Sequence, residues 1–127
     1  MDIPWPEVEE EAVTLLRDLL RIDTTNSPDV APNETEAAQF LAALLEREGL
    51  EPEVLESKPG KGNVVCRLKG SGEAAPVLLS GHLDVVPADP SKWSRDPFAA
   101  DIHEGFIWGR GAIDMKNMVA MEVIALC

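Results

Sequence analysis

Two cysteines and eleven basic side chains are all that 127 residues contain of those types, and no apolar run approaches membrane-spanning length. Each shortage excludes something. Cys66 and Cys127 lack C-x-x-C spacing, which argues against a disulfide framework and against a zinc knuckle. Eleven bases against 23 acids give a net charge of -12, so nucleic acid phosphates and anionic lipid are disfavoured as partners. A cationic ligand or a metal is favoured by the same field, although an acidic surface also serves solubility alone. A bilayer span needs about 20 consecutive apolar residues. None is present, and the opening "MDIPWPEVEEE" is acidic where a secretory signal is basic. The expectation is a cytoplasmic protein with no membrane partner. Internal repeats and low-complexity segments are missing as well.

What remains is an ordinary globular composition, 45% hydrophobic and 27% charged, at a length that suits one compact domain. Val8, Ala12, Leu15, Leu16, Leu19 and Leu20 recur at helical spacing over residues 7–21. Pro6 suits the first turn of that helix, and Arg17 and Arg21 suit its last. The polar loop "RIDTTNSPDVAPNE" ends at Asn33, a candidate cap with Glu36 at the capping-box position. A second helix over 34–48 carries Ala37, Phe40, Leu41, Leu44 and Leu45 and stops at Gly49.

Short β-like runs follow at 53–56, 63–68 and 76–81. The last, "PVLLSG", is apolar without alternation, as in a central strand covered on both faces. After an irregular stretch, Glu104-Gly105 between two β-prone segments predicts a hairpin turn. From Asp114 the pattern turns helical again and runs to Cys127 with no glycine stop and no basic last turn. This order of elements predicts an α/β fold, a three-layer α/β/α arrangement around a mostly parallel or mixed sheet. In such sheets function gathers just beyond the carboxyl ends of central strands.

"LLSGHLDVVP" places His82 and Asp84 at that position. Residues i and i+2 of an extended chain point to the same side. The Asp84 carboxylate can therefore hold one ring nitrogen of His82 and leave the other for a metal. Taken alone, the spacing better suits a half-buried histidine beside an aspartate that begins a turn. Asp114 lies where "GRGAID" hands over to a helix, so it is either an N-cap or a carboxylate with two oxygens to share between cations.

Other segments lack the context their motifs require. "GSGEAA" at 70–75 matches G-x-G-x-x-A, but Pro76 and a β-like run follow where a dinucleotide fingerprint needs a helix. Ser80 lacks the glycine two residues before it that a nucleophile elbow needs. No phosphate loop occurs. His103 reads as a solvated side chain beside the hairpin turn, and Trp93, Phe98 and Trp108 read as packing anchors for the irregular loop.

Together "LLSGHLDVVP", "WSRDPF" and "GRGAIDMKNMVAM" resemble consecutive signature segments of one family. It is the di-zinc hydrolase family of acetylornithine deacetylase, succinyl-diaminopimelate desuccinylase, aminoacylase and glutamate carboxypeptidase. The resemblance implies that His82 is a zinc ligand, that Asp84 is a catalytic residue orienting and polarising His82, and that Asp114 bridges two zincs. It also implies a cis peptide bond at Asp114-Met115. Lys116 lies inside the signature with no catalytic duty assigned, and Asn117 stands where many relatives carry glycine.

The implied cofactor is zinc, two ions per complete site, with cobalt or manganese as alternatives. The implied reaction is hydrolysis of an amide bond beside a carboxylate, in small N-acyl amino acids or at peptide C-termini, as deacylases, desuccinylases and carboxypeptidases perform it. The family's glutamate pair, its remaining acidic ligand and its final histidine lie downstream of the bridging aspartate. The expectation is that residues 1–127 are the N-terminal part of the catalytic domain. The remainder of that domain and a smaller dimerisation domain then lie outside this chain. The chain alone is expected to bind metal weakly, to be inactive and to self-associate through Met118, Met121 and Ile124, whereas the full-length protein is expected to be a homodimer.

Two readings from other classes stand beside this one. A non-catalytic α/β domain can bind a partner through an acidic, apolar-edged surface. A phosphoacceptor domain can use a strand-end aspartate such as Asp84, but it needs an acidic pair near its first strand, which this order of elements does not supply.

Overall fold

The computed structural model describes residues 2–127. Helix α1 (Trp5–Arg21) has Pro6 and Glu7 in its first turn and Arg21 in its last, and it buries Leu15, Leu19 and Leu20. Helix α2 (Glu34–Arg47) buries Ala37, Ala38, Leu41, Ala42 and Leu45. Asn33 precedes α2 without accepting from its backbone; its amide instead donates to the Glu36 carboxylate at 2.6 Å. The two residues of the expected box therefore meet, through a different bond. The end of α2 is closed by Gly49 N–H donating to the Glu46 carbonyl and Leu50 N–H to that of Leu45, each at 3.0 Å. These are the two bonds of a Schellman motif.

Strands β1 (Glu53–Glu56) and β2 (Gly62–Val65) form an antiparallel hairpin with Glu53 opposite Val65. A 3₁₀ turn at Pro90–Lys92 interrupts the long irregular stretch. Strands β3 (Asp101–His103) and β4 (Phe106–Trp108) form a second antiparallel hairpin, with His103 opposite Phe106 across the expected Glu104-Gly105 turn. Helix α3 (Lys116–Leu126) closes the order and buries Lys116, Val119 and Ala120. Leu15 and Leu19 of α1, Leu41 of α2, and Val119 and Ala120 of α3 make one core cluster. Leu83 of the His82 segment packs against it. The candidate site is thus anchored directly on the core.

The fold is α/β with open sheets, an incomplete arrangement, and its strands depart from the expected positions. Residues 66–68 extend no strand beyond β2, and 76–81 form none. The physical reason is pairing. A strand exists only where a neighbouring backbone accepts and donates its hydrogen bonds, and among the described residues the parallel pairing is a single bridge, Thr25 to Val85. Val77 and Leu78 consequently stay 85% and 87% exposed, where burial on both faces was expected. Met118 and Met121 of α3 are also exposed. Among the described residues no helix is long and apolar enough to cross a membrane.

The β3–β4 turn supplies a direct test of local geometry. Glu104 and Gly105 both have positive φ, 52° and 79°, as a two-residue type I′ turn requires. A Cβ on Gly105 would meet nothing within 4 Å. Gly105→Ala therefore carries only the backbone cost of the left-handed region, about 1 kcal/mol. A matching loss in urea denaturation is the expected result, and a neutral effect would contradict the assigned turn.

Candidate functional site

The site is assembled by the chain leaving α1. Thr24 donates its hydroxyl to the Leu83 carbonyl at 2.6 Å and accepts at its own carbonyl from Val85 N–H at 3.1 Å. Asn26 N–H then donates to the Val85 carbonyl at 2.8 Å. These bonds bracket Asp84, follow directly after His82, and hold residues 83–85 beside 24–26. The Asn26 side-chain amide donates to Asp84 Oδ2 at 3.0 Å, across 58 positions of sequence.

His82 is gripped on both ring nitrogens. Nδ1 lies 3.0 Å from the Asp84 carbonyl and 3.2 Å from Asp84 Oδ1. Nε2 lies 3.0 Å from Asp114 Oδ1, whose residue is 32 positions away. Two acceptors at Nδ1 place a proton there, so in the neutral ring Nε2 presents a lone pair. That lone pair faces another acceptor, the Asp114 oxygen. The contact is favourable only with a positive particle between them, a proton or a metal cation. Partial burial pulls the His82 pKa down, but the Asp84 carbonyl and the Asp114 carboxylate outweigh it, and the net shift is upward.

Asp114 is presented by the turn between β4 and α3. Gly111, at φ 86°, packs so closely that an added Cβ would lie 2.6 Å from Val85 Cγ1. Glycine there lets the "GRGAID" segment close onto the His82 segment. The Asp114-Met115 peptide bond is cis. Asp114 caps no helix: the N-cap of α3 is Met115, and Asp114's side chain is 86% exposed. Of the two roles open for it in the sequence, the geometry leaves the carboxylate free to meet a cation.

His82 and Asp114 suit a divalent ion in donor chemistry. Zinc takes imidazole nitrogen and carboxylate oxygen at about 2.0–2.2 Å, and donors 3.0 Å apart are within reach of a single ion. Asp84 does not join them, because its carboxylate is on the Nδ1 side of the ring. Among the described residues no group of three or more His, Cys, Asp or Glu side chains is arranged to hold a metal ion.

Thr24 and Asn26 were not among the residues singled out in the sequence. They sit in a polar loop whose composition explains itself as a turn, and no local pattern links them to a segment so distant in sequence. Lys116 is the other surprise: it is fully buried, with Nζ donating to the Leu19 and Ile22 carbonyls at 2.9 and 2.8 Å. It therefore fixes α3, and with it Asp114, against the end of α1. His103 stays apart from the site with Glu104 as its neighbour at 3.7 Å. Trp93 and Trp108 each meet an arginine, Arg110 at 5.2 Å and Arg95 at 6.0 Å from the ring centres.

Comparison with known proteins identifies relatives in both sequence and fold. Residues 78–127, which contain His82, Asp84 and Asp114, match the model of peptidase family M20/M25/M40. The chain is 36% identical over 124 residues to a succinyl-diaminopimelate desuccinylase of Rhodopseudomonas palustris, covering 95% of this chain and 30% of that protein. It is 41% identical over 101 residues to the desuccinylase of Methylorubrum extorquens, covering 77% of this chain and 26% of that one. The chain thus spans less than a third of the length of these relatives. Among solved structures, an M20 family metallo-carboxypeptidase from Sulfolobus solfataricus superposes with a TM-score of 0.78 at 28% identity, over 91% of this chain and 26% of that one. Human carnosine dipeptidase 1 shares the fold, with a TM-score of 0.76 at 24% identity over 96% of this chain and 29% of its own.

Proposed function

Because this chain belongs to peptidase family M20/M25/M40, we propose that it is the metal-binding N-terminal part of a hydrolase that cleaves amide bonds beside a carboxylate. Its substrates are small N-acyl amino acids, N-succinyl compounds among them, or peptide C-termini. The observation that carries the reading is the 3.0 Å approach of His82 Nε2 to Asp114 Oδ1, a nitrogen and an oxygen that can share a proton or, as in this reading, a metal cation.

In this reading His82 and Asp114 hold zinc, with cobalt or manganese as substitutes. Asp84 keeps the ring proton on Nδ1 and raises the basicity of Nε2, the role of a carboxylate behind a liganding histidine. Asn26 in turn holds Asp84. Bound at such a site, a zinc pair lowers the pKa of a water and stabilises negative charge developing on the amide oxygen. A catalytic zinc normally takes three protein ligands, and this chain brings two donors together. Residues outside it therefore supply the other ligands and the general base, and the chain alone turns over no substrate.

The test compares two lengths of protein. The natural-length protein is expected to hydrolyse N-succinyl or N-acyl amino acids, to lose that activity in EDTA and to regain it with zinc. Ligand binding at free concentration L stabilises a fold by RT ln(1 + L/Kd), which is small where binding is weak. The melting temperature of the 127-residue chain is accordingly expected to move by less than about 2 °C in EDTA. A natural-length protein that hydrolyses no amide with any divalent metal would overturn the proposal.

A further inference from the structure

Beside Asp114 lies a cleft of about 320 Å³, walled by Trp93, Ile107, Trp108 and Arg110 and floored by the Gly109–Asp114 turn. Two N–H donors at this wall, Trp108 Nε1 and Arg110 Nε, are buried and have no hydrogen-bond partner among the described residues. Buried donors are almost always satisfied, so these two leave hydrogen-bonding capacity of the wall residues unused.

Arg110 also brings a positive charge to this cleft. Acids outnumber bases two to one here, and Arg21, Lys61, Lys92 and Arg95 each pair with a carboxylate. Arg110 enters no ion pair among the described residues; its guanidinium lies over the Trp93 ring instead. Stacking on an aromatic face fixes the plane of a guanidinium and leaves its edge free, the geometry that receives a carboxylate through two parallel bonds. A backbone bond holds the residue in place, with Arg110 N–H donating to the Pro97 carbonyl at 2.7 Å.

We propose that this cleft binds a carboxylate group of the substrate, with the Arg110 guanidinium as its positive partner and Trp93 as the platform that aims it. The proposal rests on the hydrolase reading for the ligand being a substrate. It adds which residues of this chain select a charged substrate over a neutral one. Asp114 faces the same cleft, so the anion is best accepted when a cation occupies the Asp114 side.

The experiment uses the natural-length protein and two probes, succinate and its neutral analogue succinamide, followed by tryptophan fluorescence. Succinate is expected to change the emission and to bind at least tenfold more tightly than succinamide. Arg110→Gln is expected to abolish that preference, and Arg110→Lys, which keeps the charge but not the fork, to retain only part of it. In hydrolysis, Arg110→Gln should raise KM for an N-succinyl substrate by about tenfold or more.

Equal binding of the two probes by the unmutated protein would overturn the proposal, and that measurement does not depend on whether Arg110→Gln folds. A succinate preference that survives in both variants would overturn it too. Arg110-dependent succinate binding in a protein that hydrolyses nothing would sustain the carboxylate site and dismiss the hydrolase reading. Hydrolysis with no Arg110 dependence would do the reverse.

Discussion

Asp114→Ala in the natural-length protein is expected to lower amide hydrolysis about a thousandfold, the scale set by removing a group that stabilises transition-state charge. The same change should leave folding stability nearly untouched. The Asp114 side chain is 86% exposed and its hydrogen bond among the described residues is with His82 Nε2, and surface changes of this kind cost within about 0.5 kcal/mol. A graded series makes the test specific. Asp84→Ala removes the carboxylate behind the ring and should weaken zinc binding by about 10–100-fold, less than the loss from Asp114→Ala. Asn26→Ala leaves Asp84 in place but free to rotate, and should fall below both. Zinc titration of the three variants, with a chemical denaturation curve for each, checks the order. Comparable losses in all three accompanied by loss of stability would mean that the cluster is structural and that the metal assignment is wrong.

The legibility of this site in the sequence divides along a physical line. Features set within a few residues could be read. The leucine spacing of α1 is a property of the 3.6-residue turn, and Leu15, Leu19 and Leu20 are buried as that period requires. The Glu104-Gly105 turn depends on two backbone angles that its own residues choose. The His82–Asp84 contact also needs just two residues of extended chain. Features that depend on a distant partner could not be read. Nothing near Asn26 shows that it grips Asp84, and nothing in "GRGAIDMK" shows that its lysine ends up buried. The 76–81 run failed for the same reason in reverse. Its apolar composition states what the segment would do with neighbours on both sides, and no strand among the described residues provides them. The family resemblance supplied what local chemistry did not, by placing Asp114 with His82 before any distance was known.

Lys116 gives the second large effect. Its ammonium is buried against the end of α1, where among the described residues Ile22 O accepts from this side chain and from no backbone N–H, while Leu19 O also accepts from Ile22 N–H. Lys116→Met fills nearly the same volume but leaves the Ile22 carbonyl without a partner, a loss of roughly 1–3 kcal/mol that removal of the ammonium's burial penalty partly offsets at pH 7. The pH dependence identifies the cause. Burial lowers the Lys116 pKa from 10.5 to about 8, against the attraction of the nearby Asp23 carboxylate. The folded value is below the unfolded one, so between them the unfolded chain binds more protons and stability rises with pH. Below pH 8 both states are protonated and the burial penalty is fully present. The penalty fades as pH climbs through 8 and is gone above about 10.5, where the unfolded chain also loses its proton, for a gain of about 3 kcal/mol. The neutral amine still has two N–H groups for the two carbonyls. The Lys116→Met variant has nothing to titrate at this position, so the stability difference between the two proteins should widen from pH 7 to pH 10. Denaturation curves of both at the two values check this, and other titrating groups cancel in the comparison. A difference that stays constant would show that the lysine is already neutral at pH 7, or that solvent reaches it.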